Sequence, residues 1–198
     1  MPRRPGGPGR AGRPAGHRRP QDQALIAVAE AFTAAACRQP ATALRYARTV
    51  LGHIGALEIS HESVRWAWPL AARAGYDLAD TTTSDELLAL LDRYRPGQLA
   101  PMERAERDLA RARLAASNGD PAATEAFATA IKSLRDQSTP YHLAHGLLDH
   151  AQYLTPLGDA EAAETAIAEA RTIAQQLRCQ PLLDRVADVA PAESRTRA

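Results

Sequence analysis

Imidazoles and carboxylates gather in one stretch of the chain: His142, His145 and Asp149 recur at three-and-four spacing, with His150 adjacent. On a helix that spacing puts the first three on one face, where they could begin a metal site. Two histidines leave ligand geometry incomplete, and no cysteine or H-E-x-x-H run supplies the rest. Solvated or capping histidines are therefore expected, and no metal is assigned. His61-Glu62 reads as first-turn electrostatics rather than acid/base chemistry. Cys37 and Cys179 fall at helix ends without a flanking base, which predicts small, buried or partly exposed thiols. The single lysine, Lys132, lies mid-helix, and no G-x-x-x-x-G-K-[ST] loop occurs, so nucleotide hydrolysis has no machinery. No enzyme activity and no cofactor are expected.

The elements that must position these residues are helical. Of 198 residues 43 are alanine and only 5% are aromatic, with β-branched residues sparse, a composition that favours helix over strand. Glycine and proline divide the chain into nine helices. Asp22 caps the first, and Pro40 starts the second. Ser60 caps a third over His61 to Gly75, kinked after Trp68 by Pro69, and Ser84 caps a short fourth over Leu87 to Tyr94. Pro101 opens a fifth, the turn Asn118-Gly119-Asp120-Pro121 leads to a sixth, and Pro140 opens a seventh that closes at Pro156 to Gly158. Asp159 caps the eighth, and Pro181 opens the ninth. Ala163, Ala166, Ile167, Ala170, Ile173, Ala174 and Leu177 form one apolar stripe, as do Leu143, Leu147, Ala151 and Leu154. Trp66 and Trp68 point to different faces; both are expected in the core, with one of them anchoring a partner as the alternative.

Charge is unevenly spread. Formal net charge is +1, but residues 1–20 carry Arg3, Arg4, Arg10, Arg13, Arg18 and Arg19 without an acid, leaving −5 for the remainder. Five prolines, five glycines and no Leu, Ile, Val or Phe in those residues predict a disordered tail. Clustered arginine suits a nucleic-acid or anionic-surface contact, and a merely solvated tail is the plainer alternative. An export signal is a third reading, since Arg18-Arg19 precedes Ala24 to Ala29, but Pro20, Gln21, Asp22 and Glu30 interrupt the apolar stretch it needs. Without a membrane-length apolar run, and with only two cysteines, a cytoplasmic location is expected.

The chain superposes on itself at a period of about 39 residues. Ala105, Leu109, Ala112, Gly119 and Asp120 match Ala144, Leu148, Ala151, Gly158 and Asp159. Gly158 followed by Ala163, Ile167 and Ala170 resembles the tetratricopeptide repeat. The run Trp66-Ala67-Trp68-Pro69-Leu70-Ala71-Ala72-Arg73-Ala74, with Leu87-Leu88, Gly119-Asp120, Phe127, Pro140-Tyr141, Gly158-Asp159, Glu169-Ala170-Arg171 and Pro181-Leu182-Leu183, resembles the C-terminal helical-repeat region of actinobacterial LuxR-type regulators and cyclase-like signalling ATPases. That resemblance implies repeats acting as a sensor or scaffold beside an upstream ATPase.

The expected fold is all-α, with stacked antiparallel helical hairpins in a tetratricopeptide-like solenoid over residues 21–190, flanked by tails at 1–20 and 191–198; an alanine-rich helical bundle without true repeats is the alternative. The expected function is a non-catalytic protein-interaction or sensor module in signal transduction; the alternatives are a small nucleic-acid-binding regulator using the arginine tail, and a remnant of a larger regulator. A protein or peptide partner would meet the residues of the first helix of each pair that lie off the Ala/Leu stripe, namely Glu106, Arg113, His145, Asp149 and Gln152. Being off the stripe, these are expected to be exposed, so that changing Arg113 and His145 to Glu would alter stability by less than about 0.5 kcal/mol.

Overall fold

A computed structural model describes residues 19–190, and every regular element in that range is helical. In chain order these are α1 (Pro20–Ala36), α2 (Pro40–Leu51), the single turn α3 (Ile54–Leu57), α4 (Glu62–Asp77), α5 (Thr81–Asp92), a 3-10 turn at Pro96–Gln98, α6 (Pro101–Ser117), α7 (Ala123–Gln137), α8 (Pro140–Leu157), α9 (Ala160–Gln176) and α10 (Gln180–Val189). No described helix is long and apolar enough to cross a membrane. The predicted tails fall on residues 1–18 and 191–198, outside the described residues, together with Arg3, Arg4, Arg10, Arg13 and Arg18. Arg19 and Pro20, assigned to the tail, instead begin α1, with Pro20 in its first turn. The apolar run after them is built into the fold, since Ala24, Ala27 and Val28 are core residues.

The repeat at about 39 residues appears as two hairpins, α6–α7 and α8–α9, each opened by proline at the first helical position. Each reaches its second helix through a left-handed glycine, Gly119 at φ +67° and Gly158 at +81°, a conformation that costs other residues a clash with Cβ. α1 pairs with α2, and α4 packs on both. The first helices then follow one another in space: α4 touches α6, α6 touches α8, and α8 touches α10. Two apolar cores result, one among α1–α5 around Trp68 and Leu91, the other among α6–α10 around Phe127, Leu148 and Leu182. α8 runs so close to α6 and α7 that a Cβ added at Gly146 would lie 2.5 Å from Leu134 Cδ1.

Several helix ends differ from expectation. His61, not Ser60, caps α4, its Nδ1 accepting from the Ser63 amide at 3.2 Å. Pro69 lies buried inside α4 without ending it. α5 begins at Thr81 rather than near Leu87, because Asp80 accepts from both the amide and the hydroxyl of Thr83, at 2.9 and 2.5 Å. Three helices end on non-glycine residues in the left-handed region, Arg38, Ala79 and Arg178, which close the same backbone hydrogen bonds that Gly119 closes after α6.

Candidate functional site: a cavity between the first and last helices

On α4 the residues Trp66, Leu70, Arg73 and Asp77 follow four-three-four spacing, so one stripe of the helix carries an indole, an aliphatic side chain, a guanidinium and a carboxylate. On α8, Tyr141, His145, Asp149 and Gln152 follow four-four-three spacing. The two stripes, Asp149 excepted, line an open-sided cavity of about 730 Å³ with the end of α1, the start of α2 and one side of α10, a volume typical of small-molecule sites. Phe32, Trp66, Leu70 and Val189 supply apolar wall, while Arg73, His145, Gln152 and Arg185 supply polar groups. Arg38 and Asp188, from the α1–α2 turn and α10, pair at 2.5 Å although 150 residues apart, and both also line the cavity. The left-handed backbone of Arg38 (φ +58°) belongs to the same turn that presents this side chain to α10.

Behind the wall lies a buried ionic network. Asp149, fully buried, accepts from Arg113 Nε at 2.7 Å and from Nη2 of the same guanidinium, while Arg185 donates to its other oxygen. Arg185 also meets His145 Nδ1 at 2.7 Å and Gln152 Oε1 at 3.3 Å. Since a guanidinium only donates, His145 Nδ1 is the acceptor and its ring proton sits on Nε2. Glu106 Oε1 lies 2.6 Å from His142 Nδ1. The His142 ring stacks on Trp66 at 5.8 Å, and Tyr141 packs edge-on against both His142 and His145, at 5.5 and 4.7 Å.

These surroundings set protonation. Burial would raise the Asp149 carboxyl, but Arg113, Arg185 and Arg73 overcome it and hold the pKa near 2. Burial likewise opposes ionisation of Glu106, and the His142 hydrogen bond and charge bring it below the ordinary value. His145 is driven well below its usual pKa by burial, then by Arg73, Arg185 and Arg113, and is neutral near pH 7. Burial is also the first cause of a lowered pKa at Arg73, with the Arg113 charge next.

The residues expected to form an exposed partner surface divide into two groups. Gln152 is exposed and lines the cavity, and His145 lines it at 8% exposure. Glu106, Arg113 and Asp149, at 0, 2 and 0% exposure, lie behind it. The expectation that Arg113 and His145 are exposed is overturned, because α6 and α8 are covered by neighbours on both sides and these polar residues off the apolar stripe face other helices rather than water. His142 and His145 are buried rather than solvated for the same reason. The missed signal was in the spacing: Glu106–His142, Arg113–Asp149 and Asp149–Arg185 are each separated by 36 residues, about one repeat less one helical turn. Arg73 was also missed, although a lone charge within Trp66 to Gly75 was visible.

The remaining candidates are structural or peripheral. Trp68 is fully buried and donates to the Leu87 carbonyl at 3.0 Å, whereas Trp66 is only half-buried at the cavity wall. His150 stacks on Phe127 at 5.3 Å. Cys37 is exposed and Cys179 half-buried. Among the described residues no three His, Cys, Asp or Glu side chains converge to hold a metal ion. No protein-family model matches the chain, and comparison with curated proteins and with solved structures returned no match either, so the chemistry of the cavity is read from its own residues.

Proposed function

We propose that this chain is a non-catalytic sensor module of tetratricopeptide-like helical hairpins that takes up a ligand on its inner face. The observation that carries this reading is the cavity bounded by α1, α4, α8 and α10, which joins the first and last described helices around one apolar space. A ligand there would touch elements far apart in sequence and stabilise their mutual arrangement, which is how binding to a helical module becomes a conformational signal. The succession of first helices α4, α6, α8 and α10 along one side supports a solenoid arrangement. The buried groups support binding rather than catalysis: His145 is committed to Arg185 and Asp149 to two arginines, leaving neither free as a general base.

The test is titration with 8-anilinonaphthalene-1-sulfonate, a fluorophore with an apolar aromatic body and one sulfonate, against the full chain and Ala35→Trp. Ala35 is half-buried on the cavity wall, so an indole there projects into the space and obstructs it. Saturable one-to-one fluorescence lost in the variant, with circular dichroism and melting retained, is expected. Undiminished binding by the folded variant would place the site elsewhere.

A further inference from the structure

Arg73 is 9% exposed, faces the cavity, and has no hydrogen-bond or ion-pair partner among the described residues; its Nη1 is buried without an acceptor. A guanidinium carries five donors and stays charged, and burying such a group unpaired is costly. The neighbouring cations are already engaged, Arg113 and Arg185 on Asp149 and Arg38 on Asp188. Of the carboxylates, Asp149 is engaged with two arginines, Asp184 with Gln180, and Glu106 with His142 through one oxygen, its other oxygen being buried without a donor. Arg73, Arg113 and Arg185 face the buried carboxylates of Glu106 and Asp149, with Asp77 as a further acid acting on all three and His145 neutral. The remaining acid on the lining, Asp77, is exposed to solvent at the rim and makes no ion pair with Arg73.

We infer that the cavity is an anion site in which Arg73 receives the carboxylate of an organic acid whose apolar body lies along Phe32, Trp66 and Leu70. This inference rests on the cavity being the ligand site proposed above and names the class of ligand. The fork of one free guanidinium matches the two oxygens of a carboxylate. A phosphate dianion would call for further charged donors, and Arg185 is spent on Asp149, Gln152 and His145 while the neutral His145 offers only its Nε2–H. The mainly apolar wall disfavours a small inorganic ion and selects an acid with a ring or chain to bury.

The experiment measures binding of 2-naphthylacetate, the neutral 2-naphthylacetamide and 2-naphthyl phosphate by calorimetry, to the full chain and to Arg73→Gln, Arg73→Met, Asp77→Asn and Ala35→Trp. The acid should bind at least tenfold more tightly than the amide. Both Arg73 variants should reduce that ratio to about one while leaving amide affinity within twofold, and Asp77→Asn should strengthen the acid severalfold. Equal acid and amide affinities, both lost in Ala35→Trp, would overturn the anion site and leave the cavity reading intact. Binding of neither compound in an Ala35-sensitive manner would overturn both. An Arg73-dependent preference for the phosphate would overturn the choice of carboxylate.

Discussion

Replacing Asp149 by Asn removes the one charge that α6, α8 and α10 share. Asn keeps the shape and one acceptor, but Arg113 and Arg185 lose their counterion, with Arg73 close enough to add repulsion. Removing one partner of a buried ion pair costs about 3–5 kcal/mol. The shift of the carboxyl from 3.8 to about 2 corresponds to roughly 2–3 kcal/mol for neutralising it in the folded state. The two figures meet near 3 kcal/mol, and for a domain of this size that lowers Tm by about 6–12 °C. Urea and thermal denaturation followed by circular dichroism measure it. In the double variant Arg113→Met with Asp149→Leu, Arg185 can turn to water, its side chain being 17% exposed, and at least half of the loss should return. A cost below about 1 kcal/mol for Asp149→Asn would refute the claim that this network ties the first helices together.

Acid should destabilise the protein in two stages. His145 is held neutral in the fold while the unfolded residue protonates near 6.5, so its contribution is present above that pH and is lost as pH falls below it; His150, also depressed by burial, acts in the same direction. Asp149 adds a second loss as pH falls from about 4 towards 2, and chemical denaturation between pH 7.5 and 5 should show a smaller slope for His145→Asn than for the parent. Arg73→Met should raise stability by about 1 kcal/mol, since it removes an unpaired buried charge from beside Arg113, and a lower melting temperature would count against Arg73 being unpartnered. Ala79→Gly should stabilise by about 0.5–1 kcal/mol, because Ala79 closes α4 at φ +53° and glycine relieves that strain at some entropic cost; a loss of stability on denaturation would contradict the αL assignment.

Local chemistry determined most of the helical framework. Proline and glycine act on their own backbone, so Pro101, Pro140, Gly119 and Gly158 marked their ends from sequence alone, and the period-3.6 stripes marked the buried faces of α8 and α9. The same local logic missed the α4 end at Ala79, where the left-handed residue has a side chain, and the α5 start, where Asp80 and Thr83 cap a stretch that reads as loop.

What only tertiary structure decided is the meaning of the charges. A polar residue off the apolar stripe faces water on a helix covered on one side and faces another helix on one covered on both. Glu106, Arg113 and Asp149 were read as surface because helix periodicity carries no information about the second neighbour. Their partners lie 36 residues away on the next first helix, a pairing that arises only when α6, α8 and α10 pack side by side. The cavity is more distant still from local pattern: Arg38 meets Asp188 across 150 residues, and Arg73 becomes a lone buried cation only once α1, α8 and α10 have closed around α4.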